Sequence, residues 1–321
     1  MMKKKYSIEE AREKRREKIK QSITLLEEGV VSLLESDRWE QYLKVQAKFH
    51  GYSFSNTMLI LLQKPDATRV AGYNAWKKVG RQVRSGEKGI AILVPFVSKK
   101  KVENDAPVIM LDDGNEPSDV EEIEASTIRF GVGYVFDVSQ TDGQQLPEVC
   151  NLLIGGDELS LGEYADQIIT ARGYEVSVVK RLFLGGANGL CDYKGKRISL
   201  ADDLSPLHRL KTRVHELAHS MMHSEEEYRA HSDKSIVELE AESVAFVVLS
   251  HFGLDSSDYS FGYLASWQDG EKEKVVEALR ASGKRIQNAA DEIIVQIETL
   301  MGDASKGMQM VELPVAALGV S

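Results

Sequence analysis

The stretch "RVHELAHSMMH", which runs from Arg213 to His223, contains the pattern His-Glu-x-x-His at His215, Glu216 and His219. Two histidines four residues apart lie on one face of an α-helix, about 6 Å apart at their Cβ atoms. Their imidazoles can therefore converge on a single ion, which is the arrangement that zinc hydrolases use. This stretch predicts a helix that carries two metal ligands and an adjacent acid.

Glu216 is the predicted catalytic residue of this helix. A zinc ion lowers the pKa of its bound water from about 15.7 to about 7, and a neighbouring glutamate can take the proton during attack on a carbonyl. A catalytic zinc ion is held by three protein ligands and keeps an open position for water, so one more ligand is required. Cys150 and Cys191 are far apart and form no CxxC pair, which makes cysteine an unsuitable candidate.

A third ligand is available in the segment "VELEAESVA", residues 237–245. Glu238 and Glu242 share one helix face because they are four residues apart, whereas Glu240 lies about 200° from Glu238 around the helix axis. We expect Glu238 to bind the metal and Glu242 to accept a hydrogen bond from a ligand histidine. The predicted ligands of one Zn²⁺ per chain are His215, His219 and Glu238, with His231 as an alternative.

A basic and aromatic segment, "GYNAWKKVGRQVRSGEKG", occupies residues 72–89. Residues 1–101 carry 22 Lys and Arg against 11 Asp and Glu, whereas the remaining residues carry 18 against 39. Such asymmetry favours a polyanion-binding half joined to an acidic one, although a solvated basic helix would give the same balance. Aromatic rings stack on the exposed bases of single strands, and cations neutralise the phosphates. The predicted contacts to single-stranded DNA are Tyr73, Trp76, Lys77, Lys78, Arg81, Arg84 and Lys88, although a tryptophan in the position of Trp76 is more often a core residue than a stacking platform.

The order of predicted helices and strands indicates an α+β protein of two domains, one of them a mixed helix and sheet domain and the other zincin-like. The first covers residues 1–145, including a helix over 7–36, a helix over 37–50 and strands at 90–96, 108–111 and 130–139. Residues 140–148 are the predicted linker. The second covers 150–301, with Ser205 and Pro206 as the start of the metal-binding helix and a long helix over 271–301. Residues 302–321 form a C-terminal tail.

Composition excludes several classes of protein. At 42% hydrophobic and 28% charged residues, the chain has the composition of a soluble globular protein. Its apolar runs are too short to span a bilayer, and no apolar segment of a secretory signal follows the basic N-terminus. Two widely separated cysteines are typical of a reducing compartment, so we expect a cytoplasmic protein without a membrane partner.

The segments "VHELAHSMMH" and "VELEAESVAFVV" together resemble the ImmA/IrrE-type metallopeptidases. This resemblance implies that His215, His219 and Glu238 bind zinc and that Glu216 is the general base. The family more often has Asp at the position of Glu242, which is a departure. The strand "KRISLA", residues 196–201, would then be the edge strand along which a peptide substrate adds.

The first half resembles the single-stranded-DNA-binding domain of ArdC-type antirestriction proteins over roughly residues 35–145. The matching pieces are Phe54-x-Asn56, Gln63-x-Pro65, Gly72-Tyr73-x-x-Trp76, Gly80-Arg81-x-Val83, Gly86-Glu87-Lys88-Gly89-Ile90 and "YVFDVSQT". The resemblance implies a protein of a mobile genetic element that protects entering DNA from restriction. Two alternatives stay open: a regulatory metallopeptidase that cleaves a repressor, and a DNA binder without enzymatic activity whose metal site is structural.

Overall fold

The computed structural model describes residues 8–34, 36–97, 128–146, 158–226, 234–254 and 272–311. The helices are α1 (Ile8–Ser32), α2 (Ser36–Lys48), α3 (Phe54–Gln63), α4 (Tyr73–Lys78), α5 (Glu158–Ala171), α6 (Pro206–Met222), α7 (Lys234–His251) and α8 (Lys272–Val311). The strands are β1 (Val70–Gly72), β2 (Arg81–Val83), β3 (Ile90–Val97), β4 (Ile128–Asp137), β5 (Thr141–Gly143), β6 (Glu175–Val179), β7 (Gly189–Asp192) and β8 (Arg197–Ala201). The mixture of helices and small sheets agrees with the predicted α+β class. The strand predicted at 108–111 lies outside the described residues, as do Cys150 and His231.

The chain forms two compact units that differ from the predicted domains. The first unit takes the described residues up to Glu28 and Leu59–Gln144, whereas the second takes Gly29–Met58 and the described residues from Gln145 onward. The division near residue 145 falls within the predicted linker, whereas the described residues of Gly29–Met58 cluster with the second unit, so the domain bounds stay a prediction. These residues cluster there because α2 packs on α7, where the buried indole N–H of Trp39 donates to Ser243 Oγ at 3.0 Å.

The first unit contains an antiparallel sheet in the order β1-β4-β3 and a separate pair, β2-β5. Asp137, at the end of β4, is buried and accepts the backbone N–H groups of Thr68, Arg69 and Ser139 at 2.7, 3.0 and 2.8 Å. Burial alone would raise the pKa of this carboxyl, but the hydrogen bonds lower it below its usual value. The predicted linker begins too early, because Thr141–Gly143 form β5 and pair with β2.

The second unit contains the sheet β6-β8-β7, in which β8 pairs parallel with β6 and antiparallel with β7. The antiparallel pair predicted from the turn residues is confirmed. The prediction that Lys196–Ala201 is an edge strand is wrong, because β8 lies in the centre of the sheet. Its side chains Ile198, Leu200 and Ala201 are fully buried, which suits a central position, and β7 forms one edge instead.

Helices α6 and α7 carry the predicted metal ligands and pack on each other. As predicted, α6 starts with Ser205 as N-cap, whose hydroxyl accepts the His208 N–H at 3.4 Å, followed by Pro206. Helix α7 ends before Gly253, which adopts a φ of 73° that favours glycine. Helix α8 continues to Val311, so the predicted tail at 302–321 is helical in its first half, and residues 312–321 lie outside the described part. None of the described helices combines the length and apolar character needed to cross a membrane.

Candidate metal centre and nucleic-acid surface

The structure brings the three predicted metal ligands together in the second unit. The Nε2 atoms of His215 and His219 lie 3.0 Å apart, and Glu238 Oε2 lies 3.3 Å from the first and 3.5 Å from the second. One ligand atom from each residue thus falls within 4.8 Å of the others. We call these three residues the HExxH cluster. Two imidazole nitrogens and one carboxylate oxygen are a donor set that suits zinc and related divalent ions.

Further contacts hold the rings of the two histidines. His215 Nδ1 lies 3.3 Å from Glu242 Oε2, which is an ion-pair distance, although the two atoms do not have hydrogen-bond geometry. His219 Nδ1 lies 3.1 Å from His223 Nδ1, and His223 Nε2 lies 3.1 Å from Glu240 Oε2. Each candidate ligand histidine is therefore connected to a glutamate of α7, directly or through His223.

Glu240 turns away from the HExxH cluster, as its 200° offset predicts, and is only 1% exposed. Its carboxylate accepts from Ser282 Oγ at 2.5 Å and from the guanidinium of Arg285 in α8. Sequence reasoning missed the contact with His223. The spacing of His223, four residues after His219, was a usable signal, whereas nothing in the sequence pointed to its contact with Glu240.

Glu216 lies in a cavity of about 780 Å³ that is lined by α6, α7 and the residues of β7. Its side chain is 6% exposed, and this burial raises the pKa of Glu216 to about 7, against the opposing effects of His215 and of the backbone N–H of Cys191. Burial lowers the pKa of His215, but Glu238 and Glu242 raise it more strongly, to about 10. As for Glu216, burial disfavours the charged form of Cys191 and raises the pKa of its thiol to about 12. This cysteine therefore stays a neutral, unreactive thiol.

Gly189 is the point at which β7 approaches the metal-binding helix. A Cβ atom there would lie 2.5 Å from Glu216 Oε1 and 2.6 Å from Thr212 Cγ2. Both atoms belong to buried side chains of α6, so a methyl group fits only if one of these side chains, the strand or the helix shifts. Glycine at this position therefore keeps Glu216 at its place beside β7.

We expect Gly189→Ala to lower the free energy of unfolding by about 1–3 kcal/mol, because overpacking a filled interior costs about that much. Thermal denaturation of the full chain measures the effect. The matched control is Gly302→Ala in α8, where an added Cβ meets no atom within 4 Å and a helical alanine should be neutral or stabilising. Equal melting temperatures for Gly189→Ala and wild type would contradict the close approach.

In the first unit, the structure corrects the prediction that Trp76 contacts DNA. Trp76 is 3% exposed, and its indole N–H donates to the carbonyl oxygen of Phe136 at 2.8 Å. Its ring faces are therefore covered by protein and cannot stack on a base. The physical reason is that the short helix α4 packs on β4 through this side chain.

The predicted basic residues divide into two groups. Arg81 donates to the Thr141 carbonyl at 2.9 Å and to that of Gln144, and Arg84 pairs with Glu87 at 2.8 Å. The Arg81 guanidinium therefore links β2 to β5 and to Gln144, whereas the Arg84 guanidinium is paired with a neighbouring carboxylate. By contrast, Lys77, Lys78 and Lys88 are exposed, and the Lys77 ammonium lies 4.9 Å from the centre of the exposed Tyr73 ring.

Two exposed aromatic residues that the sequence analysis missed lie on β4. Phe130 is 54% exposed and Tyr134 is 43% exposed, and both point to the same face of the strand as Phe136. The Lys18 ammonium donates to the Tyr134 hydroxyl at 2.7 Å. In "FGVGYVF", residues 130–136, aromatic residues recur at even-numbered positions, and this alternation is the sequence feature that would have identified them. We call Tyr73, Phe130, Tyr134, Lys18 and Lys77 the aromatic–lysine surface.

Comparison with known proteins gives a family match and distant relatives. Residues 12–136 match the family described as the N-terminal domain of anti-restriction factor ArdC. An uncharacterised protein of Bacillus anthracis is 23% identical over 280 residues, which are 78% of this chain and 47% of the relative. The chain thus spans about half the length of the curated relative that it matches.

Two crystal structures of the antirestriction protein ArdC from plasmid R388 are also similar. The metal-free structure has a TM-score of 0.47 at 19% identity and covers 77% of this chain and 86% of that one. The Mn(II)-bound structure has a TM-score of 0.46 at 18% identity, with coverages of 77% and 85%.

Proposed function

We propose, from the match of residues 12–136 to the N-terminal domain of anti-restriction factor ArdC, that the first unit binds single-stranded DNA and that the second unit is a zinc metallopeptidase. The observation that supports DNA binding is the aromatic–lysine surface. The observation that supports the peptidase is the HExxH cluster beside the buried Glu216. In this proposal, binding of the entering strand protects DNA of a mobile genetic element from restriction.

The aromatic–lysine surface has both components that single-strand binding requires. Phe130 and Tyr134 are four residues apart, about 13 Å along an extended strand, and each ring is close to half exposed. Lys18 contacts the ring of Tyr134, and Lys77 contacts that of Tyr73. Bases can stack on the rings while the ammonium groups neutralise neighbouring phosphates. A duplex hides its base faces, so this surface should prefer single strands.

We expect Tyr134→Ala and Phe130→Ala each to weaken binding of single-stranded DNA by about 1–3 kcal/mol, since that is the usual contribution of one base–aromatic stack. Fluorescence anisotropy with the full chain and a labelled oligonucleotide measures the loss. Val94→Ala is the matched control, because Val94 is also exposed but pairs opposite Gly131 and points to the other face of the sheet.

The salt dependence of the same binding gives a second readout. Affinity should fall with salt at a slope of about −0.7 per neutralised phosphate, and Lys18→Ala or Lys77→Ala should reduce the slope by about one contact. Arg84→Ala should change it less, because Glu87 and Asp142 already pair with Arg84. An affinity that does not change with salt concentration, or equal affinities for single-stranded and duplex DNA, would contradict the proposed surface.

In the second unit, His215, His219 and Glu238 would hold the zinc ion. When bound there, zinc activates water and polarises the carbonyl of the scissile peptide bond. Glu216 is the general base of the proposal, because it is the buried acid next to His215 and lines the same cavity. Glu242 pairs with His215, while the chain of His223 and Glu240 orients His219.

The edge strand β7 is the proposed place for the substrate backbone. Gly189–Asp192 line the cavity and pair with β8 on one side only, so the other side can accept an extended peptide as a further strand. Leu190 is exposed and follows Gly189, the residue that approaches Glu216. Its side chain can therefore contact a side chain of the substrate. This placement replaces β8, which the sequence suggested, as the peptide-binding strand.

Two measurements separate the proposal from its alternatives. A shift of single-stranded DNA by the full chain tests the first unit; without it, the regulatory peptidase becomes the better description. Metal-dependent cleavage of a peptide library by the full chain tests the second unit. Zinc binding without any cleavage would leave a DNA binder with a structural metal site.

A further inference from the structure

We propose that the second unit contains a second divalent metal site, formed by His50, His251 and Glu298. One ring nitrogen of each histidine and one carboxylate oxygen of Glu298 lie within 4.8 Å of one another. His50 follows α2, His251 ends α7, and Glu298 belongs to α8. We call these three residues the helix-end cluster; the proposal does not depend on the peptidase activity of the HExxH cluster.

The hydrogen bonds of His251 leave a lone pair directed at a carboxylate. His251 Nδ1 lies 2.9 Å from the carbonyl oxygen of Ala47, which can only accept, so Nδ1 carries a proton. In the neutral imidazole the other nitrogen, Nε2, is then an acceptor. Nε2 lies 3.1 Å from Glu298 Oε1, which is also an acceptor. Two acceptors at this distance need a cation between or beside them.

His50 is oriented in a way that suits a metal ligand. Its Nδ1 lies 2.7 Å from Asp291 Oδ1, so a proton on Nδ1 donated to this carboxylate leaves the lone pair on Nε2. A metal-binding histidine usually donates the N–H of its non-coordinating nitrogen to a carboxylate or to a backbone carbonyl. His50 has the first kind of partner and His251 the second. The backbone of His50 is also fixed, because Gln287 Nε2 donates to its carbonyl oxygen at 3.0 Å.

The two imidazole rings converge on the same region. Their centroids are 4.7 Å apart with an interplanar angle of 86°, so the rings do not stack. His50 and His251 are half-buried, while Glu298 is exposed on α8, which leaves one side open to water ligands. Two nitrogens, one oxygen and open positions fit zinc or another late first-row divalent ion better than magnesium or calcium, which prefer oxygen ligands alone.

The helix-end cluster is separate from the HExxH cluster. Glu238 and His251 are 13 residues apart on α7, which corresponds to about 20 Å along the helix axis. No residue of the cavity beside Glu216 belongs to the helix-end cluster. Since its members come from three segments, an ion would fasten the end of α2 to α7 and α8. The function that follows is stabilisation of the second unit, because an ion that binds only the folded form stabilises it.

A proton is the competing occupant, because a doubly protonated His251 would form an ordinary ion pair with Glu298. The test uses the full chain carrying His215→Ala and His219→Ala, which removes the imidazoles of the HExxH cluster. After removal of metals with a chelator, ZnCl₂ is titrated in by calorimetry and the melting temperature is followed. We expect this variant to bind one zinc ion per chain and to melt at a higher temperature with zinc.

Adding Glu298→Gln should abolish that binding, and Asp291→Asn should weaken it by about 10- to 100-fold, as for other outer partners of metal ligands. Glu292→Gln on the same helix is the matched control, since Glu292 is an exposed carboxylate that pairs with Arg172. If the double variant does not fold, the comparison of wild type with Glu298→Gln replaces it, with an expected fall from two zinc ions to one.

Absence of this zinc in the folded protein, or zinc that survives Glu298→Gln, would overturn the second site. Metal at the HExxH cluster is counted independently in the Glu298→Gln variant. Failure of one site is therefore distinguishable from failure of the other.

Discussion

Glu216→Gln is expected to lower metal-dependent peptide hydrolysis by about 10²- to 10⁴-fold, the usual effect of losing a general base. Glutamine has the same size but cannot take a proton from the attacking water. The metal content should be unchanged, because Glu216 does not belong to the HExxH cluster. The melting temperature should stay the same or rise, since the substitution removes a buried carboxylate. Steady-state hydrolysis of a peptide substrate and metal analysis of the same sample measure both effects.

The matched control for this substitution is Glu163→Gln, an exposed position on α5 in the same unit. It should leave the hydrolysis rate, the metal content and the stability unchanged. Hydrolysis by Glu216→Gln at the wild-type rate would remove Glu216 from the mechanism. Loss of metal in that variant would show that Glu216 is a ligand rather than a base.

The same variant separates the two proposed activities in a restriction assay. DNA binding should be unaffected by Glu216→Gln, because the aromatic–lysine surface belongs to the first unit. We expect protection of DNA from a restriction nuclease to persist as well, because coating a strand needs no chemistry. Loss of protection with intact DNA binding would instead make the peptidase the effector, with DNA binding serving to deliver it.

Removal of any one ligand of the HExxH cluster is expected to abolish metal binding at that cluster. His215→Ala, His219→Ala and Glu238→Ala each leave only two protein ligands, whereas stable zinc sites in enzymes use three. The measurement is calorimetric titration with ZnCl₂ in the Glu298→Gln background, so that only this cluster is counted. A variant that keeps full affinity would exclude its residue as a ligand.

Glu240→Gln is the graded comparison for these variants. Its position about 200° from Glu238 around the helix axis would, by itself, predict that Glu240 has no effect on zinc affinity. The structure connects Glu240 to His219 through His223, so we expect the substitution to weaken zinc binding by about 10- to 100-fold without abolishing it. Complete loss of zinc in Glu240→Gln with full retention in Glu238→Ala would reverse the assignment of the two glutamates.

Sequence patterns alone were enough to predict the features that repeat with the period of one helix or one strand. The four-residue spacings of His215 with His219 and of Glu238 with Glu242 placed each pair on one helix face, and the structure brings these faces together. The same periodicity placed Glu240 on the opposite side. Ser205 and Pro206 fixed the start of α6 because capping depends on neighbours in the chain. Such local rules need no knowledge of the rest of the fold.

Which side chains are covered by other elements could be read only from the packing of the folded chain. Trp76 and Phe130 are both aromatic and could both stack on a base. Trp76 is nevertheless buried against β4, whereas Phe130 is exposed on that strand. Strand order likewise places β8, not β7, at the centre of its sheet. The helix-end cluster joins residues 50, 251 and 298, which no spacing rule connects. Burial and long-range contact depend on how separate elements pack, and a pattern within one element carries no information about its partner.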